Sequence, residues 1–340
     1  MSRTIIIAEV GPNHNGSLKM AKKYVDVLKQ IDVDYIKFQT SIPSDHISKY
    51  AEKAKYQKIN TNKKKENQLS MAEKLSLKHS EFIQLKKYCT KKKAKFLTTA
   101  LGIKSLNFVK KFNMDYIKVP SGEINNFHYL KNLPIKKKTK ILLSTGMSNL
   151  YEINKAIKFL LKNGISKEKL IIMQCTTSYP VPYKEANLKF ISLLKKKFKT
   201  KVGFSDHTLG SECAIAAIGF GAEYIEKHVT FNNNLKGPDH KASIEIASFK
   251  RMVEQIRNVD KAVGDGIKKI ENSEKENKLI ARNSIVARSE IKKNQLFTHK
   301  NLIIKRPGNG ITPENISKII GKKSNKNYSK DELIKIKGLK

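Results

Sequence analysis

Apolar residues along this chain fall into short β-branched runs, separated by stretches whose apolar positions recur every three or four residues. The strand candidates are TIIIAEV (4–10), DYIKFQT (34–40), AKFLTTA (94–100), DYIKVPS (115–121), KILLSTG (140–146), LIIMQCT (170–176), VGFSDH (202–207) and AEYIEKH (222–228). Amphipathic helices are predicted between them, among others over 18–31, 150–164 and 211–222, with a further one over 245–264. Eight β/α units in succession predict a closed (β/α)8 TIM barrel rather than an open doubly wound sheet. An open sheet would carry a GxGxxG turn after its first strand, and none is present.

Two segments break the rhythm. Residues 41–78, between the second and third strands, are rich in Lys, Gln, Asn and Ser, and connections of that length usually serve a site or an interface. After the barrel (1–268) comes a polar stretch, 269–282, that reads as a linker. Residues 283–340 then change character: short strands in NSIVARSEI and NLIIKRPGNGI, and a helix at TPENISKIIG. They predict a small β-rich C-terminal domain, too small to be secure alone and expected to pack on something.

Composition changes this picture little. No apolar run approaches the ~18 residues of a membrane span, and the chain passes at once into its first strand, so neither a membrane association nor a signal peptide is expected. The three cysteines, Cys89, Cys175 and Cys213, lack CxxC spacing and read as reduced thiols of a cytoplasmic protein. Lys+Arg 68 against Asp+Glu 30 gives a net charge of +38, which raises nucleic acid as a partner. The lysines are spread over nearly every predicted helix and accompanied by abundant Asn and Ile. No zinc finger, helix-turn-helix or RNP-like motif appears, so a specific nucleic-acid function is not expected, only non-specific adhesion at low salt.

The chemistry is carried by the strand ends, which in a parallel barrel converge on one mouth. The first strand ends with Glu9, the second with Lys37 and Gln39, and the third with Thr99. The fourth offers Lys118, Ser121 and Glu123, and the fifth Ser144. The sixth ends near Gln174 and Tyr179, the seventh in Ser205 and His207, and the eighth in Glu226 and His228. Side chains alternate along a strand, so Ser205 shares a face with His207, and Glu226 with His228. Two imidazoles with carboxylates nearby fit a divalent metal with open positions; the plainer alternative is one turn-capping and one packed histidine. A lysine inside an apolar strand is costly unless paired, so Lys37 and Lys118 point to a bound anion or to paired carboxylates. Lysines with Ser and Thr hydroxyls form a phosphate cradle. Each serine alone reads as ordinary turn chemistry; the set together does not.

The segments IIIAEVGPNHNGS, YIKFQT, YIKVPSGEINN, ILLSTGM, CTTSYPVPY, VGFSDHT, YIEKHVTF and GPDHKAS resemble those of the sialic acid synthase family, which includes N-acetylneuraminate and legionaminic acid synthases. The tail IVARSEIKKNQLFTHKNLIIKRPGNGI resembles that family's SAF, or antifreeze-like, domain. The resemblance runs in order from residue 4 to about residue 335. It implies a condensation of phosphoenolpyruvate with an N-acyl hexosamine and water that releases phosphate, with N-acetylmannosamine as the first choice of acceptor. The alternative acceptor is 2,4-diacetamido-2,4,6-trideoxymannose, which leads to legionaminic acid. By the same resemblance His207 and His228 hold a divalent metal (manganese, magnesium or cobalt), and Glu123 is the carboxylate that activates water. Lys37, Thr99, Lys118, Ser121, Ser144 and Ser205 fall where the family holds phosphoenolpyruvate. Glu9, Gln39, Tyr179, Glu226 and Asp239 fall at substrate-facing or metal-adjacent positions. Arg306, in KRPGNG, would reach the partner's active site in a homodimer with exchanged C-terminal domains.

The chain departs from the family pattern at TTAL (98–101), where STPF is usual, and at Gln174, where a His is common. Two other readings compete: a non-catalytic polyanion or nucleic-acid binder, and another phosphoenolpyruvate-dependent aldol-type synthase acting on a sugar phosphate. The first explains the charge but not the strand ends, and the second explains the barrel but not the tail.

Overall fold

In a computed structural model, which describes residues 3–63 and 65–338, the eight predicted strands form one closed parallel barrel. They are β1 (Ile5–Gly11), β2 (Tyr35–Ser41), β3 (Phe96–Leu101), β4 (Tyr116–Val119), β5 (Lys140–Ser144), β6 (Leu170–Gln174), β7 (Lys201–Asp206) and β8 (Tyr224–Thr230). Each pairs with the next in sequence, and β1 pairs with β8 to close the ring. The (β/α)8 expectation holds. A short β9 (Ile244–Glu245) extends from β8.

Strand alternation explains how a site is built on this frame. The lowest inward-facing layer is apolar: Ile7, Tyr35, Leu97, Tyr116, Leu142, Ile171 and Tyr224 are all buried. Two residues further along each strand the inward positions become Glu9, Lys37, Thr99, Lys118, Ser144, Ser205 and Glu226, equally buried. Only β6 stays apolar there, with Met173. Gly203 makes room for it: a Cβ at that position would collide with Met173 Sδ and lie 2.7 Å from Tyr224 Cβ. The outward faces, such as Ile36, Phe38, Ile117, Val119, Ile141 and Leu143, join the surrounding helices in one large apolar core.

The segment 41–78 is not a bare loop. It holds two helices, Lys55–Thr61 and Gln68–Leu75, capped at Gln68–Leu75 by Asn67. Lys53, 3% exposed, pins the insertion: its Nζ donates to Thr61 Oγ1 (2.9 Å), the Lys63 carbonyl (2.6 Å) and Glu66 Oε2 (3.1 Å). A polar composition hid this, because helix-forming Lys and Gln read as linker when no apolar stripe accompanies them.

The chain divides into two units between Asp265 and Gly266. Within the second, the stretch expected to be linker contains a helix, Asn272–Ala281, with no buried side chain. The rest has its own core around Ile285, Ile291, Phe297, Leu302, Ile319 and Tyr328, and one antiparallel pair, β10 (Ser284–Ala287) with β11 (Leu302–Lys305). The TPENISKIIG segment forms a 3-10 helix, Pro313–Lys318.

One ion cluster closes the base of the barrel. Arg257, on the helix Ile246–Ala262, donates to the Thr4 carbonyl (2.6 Å), Asp32 Oδ2 (2.9 Å) and Asp34 Oδ2 (2.9 Å). Asp34 in turn accepts from the Ile6 amide at 2.9 Å, and Asp260 from the Thr4 amide at 3.1 Å. Arg257→Ala would take its cation from the largely buried Asp260 and leave Asp34 with Arg3 alone. The expected cost is about 2–4 kcal/mol, read by urea unfolding, with activity per folded molecule unchanged. An unaltered denaturation midpoint would show that the cluster does not tie the last helix to the first strands.

Candidate functional site

The cavity at the C-terminal mouth of the barrel measures about 450 Å³. Its walls include Gly11, Gln39, Glu123, Tyr179, His228 and Asp239 from the strand ends, and His46, Tyr56, Gln68, Met71 and Leu75 from the 41–78 insertion. The insertion is held over the mouth by Asn60, whose Nδ2 donates to the Pro238 carbonyl at 2.7 Å, and by packing of Tyr56 on Tyr179 (ring centroids 5.1 Å). A larger, open depression of about 1060 Å³ on the C-terminal unit contains no His, Cys or Asp and no predicted site residue.

Beneath the cavity lies a buried charge array. Lys37 Nζ sits 2.8 Å from Glu9 Oε2 and 3.6 Å from Glu226 Oε2, and Lys118 Nζ is 2.9 Å from Glu226 Oε1. Ser205 Oγ donates to Glu226 Oε1 at 3.0 Å, and Gln39 Nε2 to Glu9 Oε1 at 2.8 Å. Of the two explanations for strand lysines, paired carboxylates are the one built in. Burial opposes ionisation of Glu226, but the Lys118 and Lys37 ammonium groups overcome it and hold its pKa below the usual range. Burial also raises the pKa of Glu9, with the attraction of Lys37 partly offset by repulsion from Glu226.

The two histidines face one another across the mouth, ring centroids 5.5 Å apart and 70° between planes. Burial pushes His207 down to about 4, against the hydrogen bond to the Thr176 carbonyl, and burial beside His207 and Lys37 holds His228 well below the usual imidazole range. Both are neutral imidazoles at pH 7. His207 Nδ1 lies 2.7 Å from the Thr176 carbonyl; a carbonyl only accepts, so Nδ1 carries the proton and Nε2 keeps its lone pair. Tyr179 packs against both rings at 4.3 and 5.6 Å. Asp239 Oδ2 stands 3.7 Å from His228 Nδ1, and burial, helped by Glu9, raises its carboxyl to about 7.

A third cluster lies at the ends of β4 to β6. Ser121 Oγ accepts from the Gly146 amide (3.1 Å) and meets Cys175 Sγ at 3.3 Å. The buried hydroxyls of Ser144 and Thr177 have no hydrogen-bond partner among the described residues, and each is suited to meet an oxyanion. Gly146 allows the close approach, since a Cβ there would collide with the Thr177 hydroxyl and lie 2.7 Å from Ser121 Oγ. Glu123, on the short 3-10 turn Ser121–Glu123, is half-buried and accepts from Asn126 Nδ2 at 2.7 Å. Thr99 is buried opposite Lys118 in the β3–β4 register. Thus the structure gathers the predicted barrel residues at one mouth. Arg306 belongs to the C-terminal unit, where it is exposed directly after β11.

A family model described as the NeuB family matches residues 24–268, and one for the SAF domain matches 282–340. The chain belongs to the NeuB family. It is 44% identical to N,N'-diacetyllegionaminic acid synthase of Campylobacter jejuni, over 98% of this chain and 100% of that protein. It is 37% identical to the enzyme of the same name from Legionella pneumophila, over 95% of this chain and 91% of that one. Among solved structures, N-acetylneuraminic acid synthetase of Leptospira borgpetersenii matches with a TM-score of 0.70 and 28% identity, covering 81% of this chain and 90% of that one. The two NeuB-pattern departures have local explanations. Gln174 is buried and donates to the Ala186 carbonyl at 3.2 Å, while Leu101 of TTAL lines the cavity.

Sequence reasoning passed over Thr177, Gly146, His14 and the pair Asp206–Lys227. His14 is buried against the cavity, and burial lowers its pKa to about 4. Lys227 carried the same signal that marked Lys37 and Lys118, a lysine inside an apolar strand.

The neutral His207 predicts a pH dependence. An unfolded imidazole titrates near ~6.5, while in the fold His207 titrates at about 4. Over that window the unfolded chain binds the extra proton, so this contribution to stability is lost as pH falls from about 6.5 towards 4. Asp239 acts in the opposite sense, being protonated in the fold up to about 7, but it is common to wild type and His207→Gln. For metal-free protein, the stability of wild type relative to His207→Gln should drop by about 3 kcal/mol between pH 7 and 4, measured by urea unfolding. A pH-independent difference would show that His207 is not held neutral.

Proposed function

We propose that this protein condenses phosphoenolpyruvate with an unphosphorylated N-acyl hexosamine and water, releasing phosphate and a nonulosonic acid. One observation carries the reading: two buried lysines, Lys37 and Lys118, lie beneath a cavity that no lysine or arginine lines among the described residues. In a chain with 68 Lys and Arg, that exclusion is informative. It suits one anionic and one neutral substrate. Ile47, Met71, Ala72 and Leu75 give part of the wall an apolar character. N-acetylmannosamine and 2,4-diacetamido-2,4,6-trideoxymannose both fit; identities of 44% and 37% to legionaminic acid synthases, against 28% to the sialic acid synthetase, favour the second.

In the proposed reaction, Lys37, Lys118 and the hydroxyls of Thr99, Ser121, Ser144 and Ser205 hold phosphoenolpyruvate and its phosphate. C3 of phosphoenolpyruvate bonds to the aldehyde carbon of the open-chain sugar, whose oxygen takes up a proton. Water adds to the electron-poor C2, Glu123 accepts its proton, and collapse at C2 breaks the bond to phosphate, which leaves. Gln39, Tyr179, Glu226 and Asp239 line or support the sugar's side, and Glu9 holds Lys37 in place.

His207 and His228 are the residues we propose to hold a divalent ion, manganese, magnesium or cobalt. The donor set fits: two neutral imidazoles, with His228 Nδ1 lacking a hydrogen-bond partner and His207 Nε2 aprotic. Among the described residues no group of three or more His, Cys, Asp or Glu is disposed to hold a metal, so substrate and water oxygens would complete the shell. When bound, such an ion supplies Lewis-acid polarisation of the aldehyde carbonyl. We also propose a cytoplasmic setting, consistent with three unpaired cysteines and with no described helix long and apolar enough to cross a membrane.

Phosphate release from phosphoenolpyruvate, measured with both sugars and with N-acetylmannosamine 6-phosphate, tests the reading. The diacetamido sugar should react best, the phosphate ester worst, and Glu123→Gln should lower turnover by about 10²–10⁴-fold while retaining substrate binding. No release with any acceptor, or a preference for the phosphate ester, would refute it.

We further propose that Arg306 completes the site of a partner subunit, its planar guanidinium donating to the acylamino carbonyl. Exposed Met147, Tyr151, Tyr183 and Leu209, in the segments that follow β5 to β7, offer an apolar rim for such docking. Mixing inactive Glu123→Gln with inactive Arg306→Ala subunits under exchange should restore activity, because one barrel of the mixed dimer regains both groups. Verified mixed dimers without activity would mean that each tail serves its own barrel or none.

A further inference from the structure

Asp206 and Lys227 form a buried ion pair on the side of the barrel wall opposite the charge array. They are direct partners in the β7–β8 register, each 1% exposed, with Lys227 Nζ 2.7 Å from Asp206 Oδ2. Their neighbours on that outward face, Val202, Phe204, Ile225 and Val229, all belong to the apolar core. A buried ion pair is often no more stabilising than hydrophobic residues of the same volume. Stability therefore does not account for the charges.

Their position does. Asp206 immediately precedes His207, and Lys227 immediately precedes His228. Asp206 Oδ1 accepts from the Thr208 amide (2.8 Å) and hydroxyl (2.7 Å), and Lys227 Nζ donates to the Thr208 carbonyl at 2.6 Å. The peptide unit after His207 is thus tied to the Asp206 carboxylate, and the next one, through the Thr208 carbonyl, to Lys227 of β8. Other polar links of His207 are its carbonyl accepting from Val181 (2.9 Å), its Nδ1 donating to Thr176 (2.7 Å) and its Nε2 3.3 Å from Ser205 Oγ, and the first two depend on that turn staying in place.

We propose that the Asp206–Lys227 pair is a positioning device that fixes His207 against His228, and so sets the affinity of the two imidazoles for a divalent ion. The proposal rests on the metal reading above only for its last clause. Groups that orient metal-binding histidines typically account for about 10–100-fold in metal affinity.

The test compares wild type, Lys227→Met and the double variant Asp206→Asn/Lys227→Met, which removes both charges and keeps the volume. Manganese binding to the metal-free protein is measured by calorimetry, with turnover at rising manganese concentration. Proton–nitrogen NMR of the metal-free protein follows the His207 Nδ1–H signal, which its bond to Thr176 shelters from exchange. Manganese affinity should fall about 10–100-fold, turnover should recover at saturating manganese, the KM for phosphoenolpyruvate should hold, and the Nδ1–H signal should broaden or vanish. If Lys227→Met does not fold, the double variant carries the same expectations. A folded variant with wild-type manganese affinity and an intact signal overturns the proposal, as does a loss of activity that manganese does not rescue. If wild type itself binds no manganese, the metal reading fails, and the Nδ1–H signal alone decides whether the pair positions His207.

Discussion

Two ammonium groups and two carboxylates share the interior of one barrel, and the rest of the site is arranged around making that tolerable. An isolated ion in such surroundings would cost many kcal/mol. Glu9, Lys37, Glu226 and Lys118 escape this because they come from four strands at the same height and each lysine meets a carboxylate: Lys37 lies between Glu9 and Glu226, and Lys118 reaches Glu226. That arrangement requires the closed register of β8, β1 and β2, and it requires β4 to reach across the interior. The apolar layer of Ile7, Tyr35, Leu97, Tyr116 and Tyr224 beneath it seals the array from the base of the barrel. Solvent and ligands meet it only from the mouth.

Much of this is legible in the sequence because strand alternation is strict. Once TIIIAEV, DYIKFQT and AEYIEKH are read as inward-pointing at every second residue, Glu9, Lys37 and Glu226 must face one another. The closed barrel follows from eight repeated units. What alternation cannot supply is what lies between strands. The helices Lys55–Thr61 and Gln68–Leu75 carry almost no buried residue apart from Met71, so no periodic apolar signal announced them. Their role as one wall of the cavity is a tertiary fact. The helix Asn272–Ala281, with no buried side chain within the described unit, was read as linker for the same reason.

The hydroxyl cluster shows a second kind of blindness. Ser121 and Ser144 were noticed as strand-end residues, but Thr177 and Gly146 acquire meaning only from contact: the glycine is small because a threonine and a serine crowd it. Composition also misled at Lys227. With so many lysines in the chain, one more inside β8 carried little weight beside Glu226 and His228. Its burial and its bonds to Asp206 and Thr208 distinguish it from the solvated majority.

The net charge of +38 and the cation-free cavity are two parts of one electrostatic design. A strongly positive surface raises the local concentration of every anion, phosphoenolpyruvate and released phosphate alike, and its effect fades as salt screens it. Such a field cannot choose among anions, nor can it help a neutral sugar. Selection has to come from groups whose charge is fixed in place and poorly screened, and these are the buried Lys37 and Lys118 with their carboxylate partners. Above them, polar and apolar groups such as Gln39, Tyr179, Met71 and Leu75 present the second substrate with shape and hydrogen bonds but no lysine or arginine. A phosphate on the acceptor would meet no described lysine or arginine of this barrel along the cavity wall. The long-range field therefore brings anions to the barrel, while the short-range wall decides which of them can enter.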